Sequence, residues 1–235
     1  MRVPLTKFGL PQVVIYPLLV LGLMTALLCV IGPTPVLISV EIILFLVFIW
    51  MLSFFRDPAR TIAYNDDILF SPADGTITDI SVTDDSELGV KALRIGMFLS
   101  IFSVHINRAP CAMRVEKVIY KKGQFKNAMS ADSGRVNESN DVVFLRIAEP
   151  GGRLMVRQVS GAVARHIVCE AKEAAEYRQG EPFGMIKFGS RAELYIPLEG
   201  GMYENGTLRN AAFALCVKTG DKVRAGLSPL VRYGQ

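Results

Sequence analysis

The 235-residue chain is poor in histidine, cysteine and tryptophan, with two, four and one of them. His105 and His166 are too few for a histidine-built metal centre; such a site would have to be mostly carboxylate, and none is expected. Cys29, Cys111, Cys169 and Cys216 lie far apart without a Cys-x-x-Cys pair, so neither a disulfide framework nor a zinc site is expected. The net charge is only +4 and no basic run is interleaved with aromatics, which excludes a nucleic-acid partner. Charge is also missing from the front: no Asp, Glu, Lys or Arg occurs from Phe8 to Val40, and after Glu41 the next is Arg56. The chain as a whole, 51% hydrophobic and 20% charged, is no disordered polypeptide.

A bilayer core of about 30 Å is crossed by about 20 apolar residues in a helix. Residues 13–31 and 36–55 both meet that length, the second broken only by Glu41. Between them Gly32-Pro33-Thr34-Pro35 disfavours a continuous helix and suits a tight turn. The prediction is a two-helix transmembrane hairpin within an N-terminal anchor, residues 1–60. A second apolar stretch argues against a cleaved signal peptide. Arg2 and Lys7 precede the first span, Arg56 and Arg60 follow the second, and the turn is uncharged. The positive-inside rule then puts both ends, and the domain 61–235, on the cytoplasmic side of the cell (inner) membrane. Trp50, Phe54 and Phe55 suit an interfacial belt, and Arg56 and Arg60 read as headgroup-level anchors. Glu41, soon after Pro35, reads as a carboxylate near the far headgroups.

Behind the anchor the hydrophobic period is mostly two. Residues 75–82, 142–147, 153–159, 192–196 and 212–217 are short β-favouring segments bounded by Gly, Pro, Asn or Asp. The best helical candidate is short, Ser160 to Ala164. The fold expected is mainly β, a compact sandwich or barrel-like hybrid domain. Gly220-Asp221-Lys222-Val223-Arg224-Ala225-Gly226 resembles a turn of lipoyl- and biotinyl-type hybrid β-folds, which speaks to fold and little to chemistry.

The conspicuous chemical element is Lys187-Phe188-Gly189-Ser190-Arg191. A Gly-Ser step is ordinarily a turn. Under strain, however, the Ser190 hydroxyl can attack the Gly189 carbonyl, which no side chain obstructs, and move the acyl group from nitrogen to oxygen. β-Elimination of the ester and hydrolysis of the dehydroalanine would convert residue 190 into a pyruvoyl group.

Five stretches in order carry a resemblance: FFRDPAR (54–60), SPADGTI (71–77), FLSIFSVHINRAP (98–110), the Tyr120 to Asn137-Glu138 region, and KFGSRAELYIP (187–197). The chain resembles the short, membrane-associated type of the phosphatidylserine decarboxylase family, self-processing pyruvoyl enzymes. The resemblance implies cleavage between Gly189 and Ser190, leaving a large chain 1–189 and a small chain 190–235 that starts with pyruvoyl as the covalent cofactor. It implies that this ketone forms a Schiff base with the substrate amine and accepts the electrons left by CO₂, turning phosphatidylserine into phosphatidylethanolamine in the membrane. Asp74 matches the acidic member of the family's Asp-His-Ser processing group, expected to orient an imidazole that takes the Ser190 proton.

His105 matches the first histidine of a His-x-x-His arrangement in larger members, and Arg108 stands at the second. The first is associated with decarboxylation and the second with self-cleavage. Two readings are open: His105 serves both steps, or Arg108 contacts the substrate carboxylate or phosphate. Arg191 is a further candidate for the phosphate. His166 matches no catalytic motif. Asn137-Glu138 resembles an Asn-Glu-Arg stretch, but Ser139 replaces the arginine. Two other functions stay open: a membrane-tethered β-domain scaffold without chemistry, and a pyruvoyl decarboxylase of a related serine phospholipid. A homo-oligomer is open as well.

Overall fold

The protein is described by a computed structural model covering all residues except 1–4, 11, 86, 163–165, 188, 210 and 235. Arg2, Ala164, Arg165 and Phe188 therefore lie outside the described residues. The chain divides into two compact units, residues 1–59 and 60–235.

The first unit holds two helices, α1 (Gln12–Ile31) and α2 (Pro35–Phe54), each long and apolar enough to cross a membrane. The break between them is built from the residues that suggested it. Gly32 takes a φ of +75°, Thr34 caps α2 by accepting from the Leu37 N–H at 3.2 Å, and Pro35 opens α2 where its missing N–H costs nothing. Neither helix has a polar face; Leu18, Leu19, Ile43 and Leu46 are among many exposed apolar side chains, the pattern of helices that meet lipid. Both carboxylate oxygens of Glu41 are enclosed and have no hydrogen-bond partner among the described residues.

The second unit is mainly β. Its largest sheet has eight strands in the spatial order Lys222–Val223, Gly75–Asp85, Val90–Leu99, Ser190–Pro197, Gly152–Val159, Ser139–Arg146, Met113–Lys121 and Glu176–Tyr177. All of its pairings are antiparallel. The sheet is open rather than closed into a barrel, so of the two architectures expected the sandwich-like one holds. Two three-stranded sheets accompany it, Ile68–Phe70 with Pro229–Tyr233 and Phe213–Leu215, and Ile106–Arg108 with Pro182–Lys187 and His166–Cys169. The core joins all three: Leu93, Ile95, Met97, Val156, Leu194 and Ile196 of the large sheet meet Leu69, Val231 and Phe183 of the small ones. Residues 160–162 carry no helix; a single helical turn, α3 (Ser133–Val136), occurs elsewhere. Ser160 is instead a loop residue whose N–H donates to the Glu138 carbonyl at 2.9 Å.

Alternation along Ser190–Pro197 sorts its side chains onto two faces of the large sheet. Ala192, Leu194 and Ile196 point into the core, so Ser190 shares their face, while Arg191, Glu193 and Tyr195 point the other way.

Candidate active site

Gly189 is the corner where the chain leaves one sheet and enters another. The Pro182–Lys187 strand belongs to the three-stranded sheet, and Ser190 opens a central strand of the large sheet, in register with Leu99. The corner needs a φ of +66° at residue 189, a left-handed conformation that glycine adopts without the penalty of a Cβ. Ser190 is fully buried, and its Oγ has no hydrogen-bond partner among the described residues. A buried hydroxyl left unpaired is costly, and such exceptions cluster where chemistry is done.

His105 lies on this dipeptide. It is fully buried just before the Ile106–Arg108 strand, and its own carbonyl accepts from the Ile186 N–H at 3.2 Å. Its Nδ1 is 2.9 Å from the Ser103 carbonyl, which can only accept, so Nδ1 carries the proton. Nε2 is thereby left as a base, and the Gly189 N–H donates to it at 3.4 Å. The Ser103 carbonyl is presented by a tight turn in which the Ser103 N–H donates to the Ser100 carbonyl at 2.8 Å.

Asp74 sits at the same end of the large sheet, two strands from Ser190, or roughly 10 Å by the usual inter-strand spacing. Its carboxylate accepts both arms of the Arg60 fork, at 2.7 and 2.8 Å, and the Ala225 N–H at 2.7 Å. The direct aspartate–imidazole contact expected from the sequence is replaced: the Ser103 carbonyl accepts the hydrogen bond from Nδ1, and Asp74 is committed to Arg60. Arg60, with a side chain only 5% exposed, is correspondingly a partner of the Ser71–Asp74 turn and no headgroup anchor.

Arg191, one of the two candidate phosphate ligands, is also placed differently from expectation. Arg191 is fully buried on the face of the sheet opposite Ser190. Its Nε donates to Glu193 at 2.6 Å, and its terminal nitrogens to Thr78 at 2.7 Å and Asp79 at 2.5 Å. Burial works against its charge, but Glu193 and Asp79 outweigh that and raise its pKa further. All three nitrogens are engaged within the protein, so Arg191 does not offer a fork to substrate. Arg108 is buried and donates to the Gly180 carbonyl at 3.0 Å. His166 is exposed and pairs in register with Lys187.

Three further groups were not found from the sequence. Gly161 packs against the bond in question: a Cβ built there would lie 2.1 Å from the Gly189 carbonyl oxygen. Asn137 fastens that loop, donating to the Ser160 and Lys126 carbonyls at 2.8 Å each while its Oδ1 accepts from the Lys126 N–H at 2.9 Å. A buried amide chain, Asn140 to Gln158 at 3.1 Å and Gln158 to Asn107 at 2.9 Å, ties the strand after His105 to the large sheet. Asn137 stands in one of the five resembling stretches, but its task depends on which loops meet. Lys187, in another of them, is buried, and that burial pushes its ammonium pKa down.

Gly161→Ala is therefore expected to displace the Gly189 carbonyl, since the obstacle is backbone on both sides. A misplacement of 1 Å in a reacting group costs about 10²-fold, so if the bond after Gly189 cuts itself, uncut chain should accumulate on denaturing gels of the variant.

The phosphatidylserine decarboxylase family model matches residues 47–230. The phosphatidylserine decarboxylase proenzyme of Rhodopirellula baltica is 42% identical over 183 residues, 77% of this chain and 71% of that protein.

Proposed function

The chain belongs to the phosphatidylserine decarboxylase family and is thus a decarboxylase, and from that premise we propose that it makes its own pyruvoyl group by cutting between Gly189 and Ser190. The observation that carries this reading is the buried, unpartnered Ser190 Oγ on a strand that begins at a left-handed glycine. The residues present fit such a group, which would arise in place, on the core face beneath His105. The proenzyme name of the relative is in keeping with a precursor that is cut.

In this reading Ser190 Oγ attacks the Gly189 carbonyl carbon, and His105 Nε2 accepts the hydroxyl proton. The carbon–nitrogen bond breaks as the ester forms, and the nitrogen of residue 190 leaves as an amine. Loss of the residue-190 α-proton then expels Gly189 as a carboxylate, the new end of chain 1–189. Water replaces the nitrogen, which departs as ammonia, and chain 190–235 begins with a ketone. That group, once formed, supplies an electrophile for the substrate amine and a sink for the electrons released with CO₂. His105 remains beside it as the group able to return a proton to carbon. Asp74 holds the neighbouring turn through Arg60 and Ala225.

The substrate proposed is phosphatidylserine in the membrane and the product phosphatidylethanolamine. A two-tailed lipid leaves a bilayer reluctantly, which gives α1 and α2 a purpose as a hairpin that keeps the enzyme at the surface. Lys7 and Arg56 flank the helices, uncharged residues join them, and the positive-inside rule puts residues 61–235 on the cytoplasmic side of the cell membrane.

Hydroxylamine tests the reading. Treatment of purified protein in detergent should stop decarboxylation of phosphatidylserine and add one oxime to the smaller chain. Full activity with no adduct would overturn it.

A further inference from the structure

Cutting a chain at the start of a central strand creates a problem that the uncut fold does not have. Strand ends fray, and the first residues of a chain are poorly ordered unless tied down. Here the new end would carry the reactive group, so its position would have to survive the loss of the bond that fixed it. The Ser190 side chain offers no tether, since its Oγ is unpartnered among the described residues.

The next residue does. Arg191 spans three strands from the far face of the sheet: its own through Glu193, and the Gly75–Asp85 strand through Thr78 and Asp79, across the intervening Val90–Leu99 strand. Gly96 of that middle strand leaves room for the crossing, because a Cβ there would lie 1.8 Å from the Arg191 terminal nitrogen. The arrangement is fastened at its far side too. Tyr195 donates to Glu193 at 2.6 Å, Arg157 donates to Tyr195 at 2.8 Å, and Arg157 pairs with Asp141 at 2.6 Å. All of these partners lie in the large chain except Glu193 and Tyr195, so the contacts join the two products of the cut.

We propose that Arg191, with Thr78, Asp79 and Glu193, is a clamp that holds the newly formed end of the small chain in register after the cut. Arg191 is a positioning residue, acting from the face opposite the reacting atoms. The proposal rests on the self-cleavage reading and assigns that site a part that keeps it assembled. A buried ion network is weak evidence for stability alone, since apolar packing does as well. A fork that fixes one residue across three strands is suited to registry.

The test compares full-length protein in detergent, cut and uncut. Masses of the denatured wild type come first: a chain that stays whole sinks the cleavage reading and the clamp with it, before any variant is made. With two chains present, Arg191→Met is expected to be cut as well but to lose about 10- to 100-fold in kcat at little changed KM, the scale of a misplaced reacting group. Amide exchange across residues 191–196 should quicken at least about tenfold in cut Arg191→Met. The same substitution in the uncut Ser190→Ala background should change that exchange far less, because the backbone still holds the strand. Arg191→Lys, which keeps charge but loses the fork, should fall between. Because Arg191→Met takes a charged partner from both Asp79 and Glu193, Thr78→Val is the milder second variant and should move exchange and kcat in the same direction. Equal exchange and kcat in cut wild type and both variants would overturn the clamp. Equal loss of protection in cut and uncut backgrounds would also overturn it, showing a general structural role.

Discussion

Ser190→Ala should yield one uncut chain with no decarboxylase activity, a loss of more than about 10⁴-fold, the scale seen when a nucleophile is removed. Alanine has no oxygen to receive the acyl group, so the reaction ends before its first bond forms. The fold should be unharmed: the side chain is fully buried, and removing an Oγ that has no partner among the described residues strands nothing. Thermal unfolding of the variant should therefore match or exceed that of the parent. Denaturing electrophoresis and a phosphatidylserine assay check both halves. A Ser190→Ala chain cut at the same place would remove Ser190 from the chemistry.

His105→Ala has the second largest expected effect, and it divides the two steps. The imidazole Nε2 faces the Gly189 N–H in the uncut chain, which places it on the dipeptide that must react. Removing a general base costs about 10²–10⁴-fold, so cutting should become slow enough to follow over hours. The fraction that is cut should still be inactive, because the same nitrogen is the one proposed to return a proton to carbon. Pulse-labelling gives the rate of cutting, and activity per cut chain gives the second step. Normal cutting with inactive product would restrict His105 to decarboxylation; normal activity per cut chain would restrict it to cleavage.

The hairpin was legible because its physics is compositional. Residues 13–31 and 36–55 are mostly apolar and carry no charge but Glu41, and the helices Gln12–Ile31 and Pro35–Phe54 follow from that and from the Gly-Pro-Thr-Pro break. The strands were legible where aliphatic and other residues alternate, as in residues 192–196, where Ala, Leu and Ile are separated by Glu and Tyr, since period two is imposed by the pleat. The tautomer of His105 was not legible, because it depends on a carbonyl two residues away that only a tight turn aims at Nδ1. Arg191 shows how adjacency misleads. It comes directly after Ser190 in sequence, yet alternation sends it to the opposite face, where Gly96 and Asp79 receive it. Arg60 misleads in the same way, its fork turned to an aspartate already named for another task. Gly161 left no local signal, and Asn137 was marked only by the stretch it stands in, for each acts through the loops that tertiary packing brings together.

Intact mass of the denatured protein distinguishes self-cleavage from hydrolysis and from an unbroken chain. Self-cleavage with conversion of Ser190 gains one water and loses one ammonia, so the chains 1–189 and 190–235 should together exceed the precursor by about 1 Da, against about 18 Da for plain hydrolysis of the same bond. The account predicts two masses with the smaller difference. One unbroken mass, or two that differ from the precursor by a full water, would contradict it.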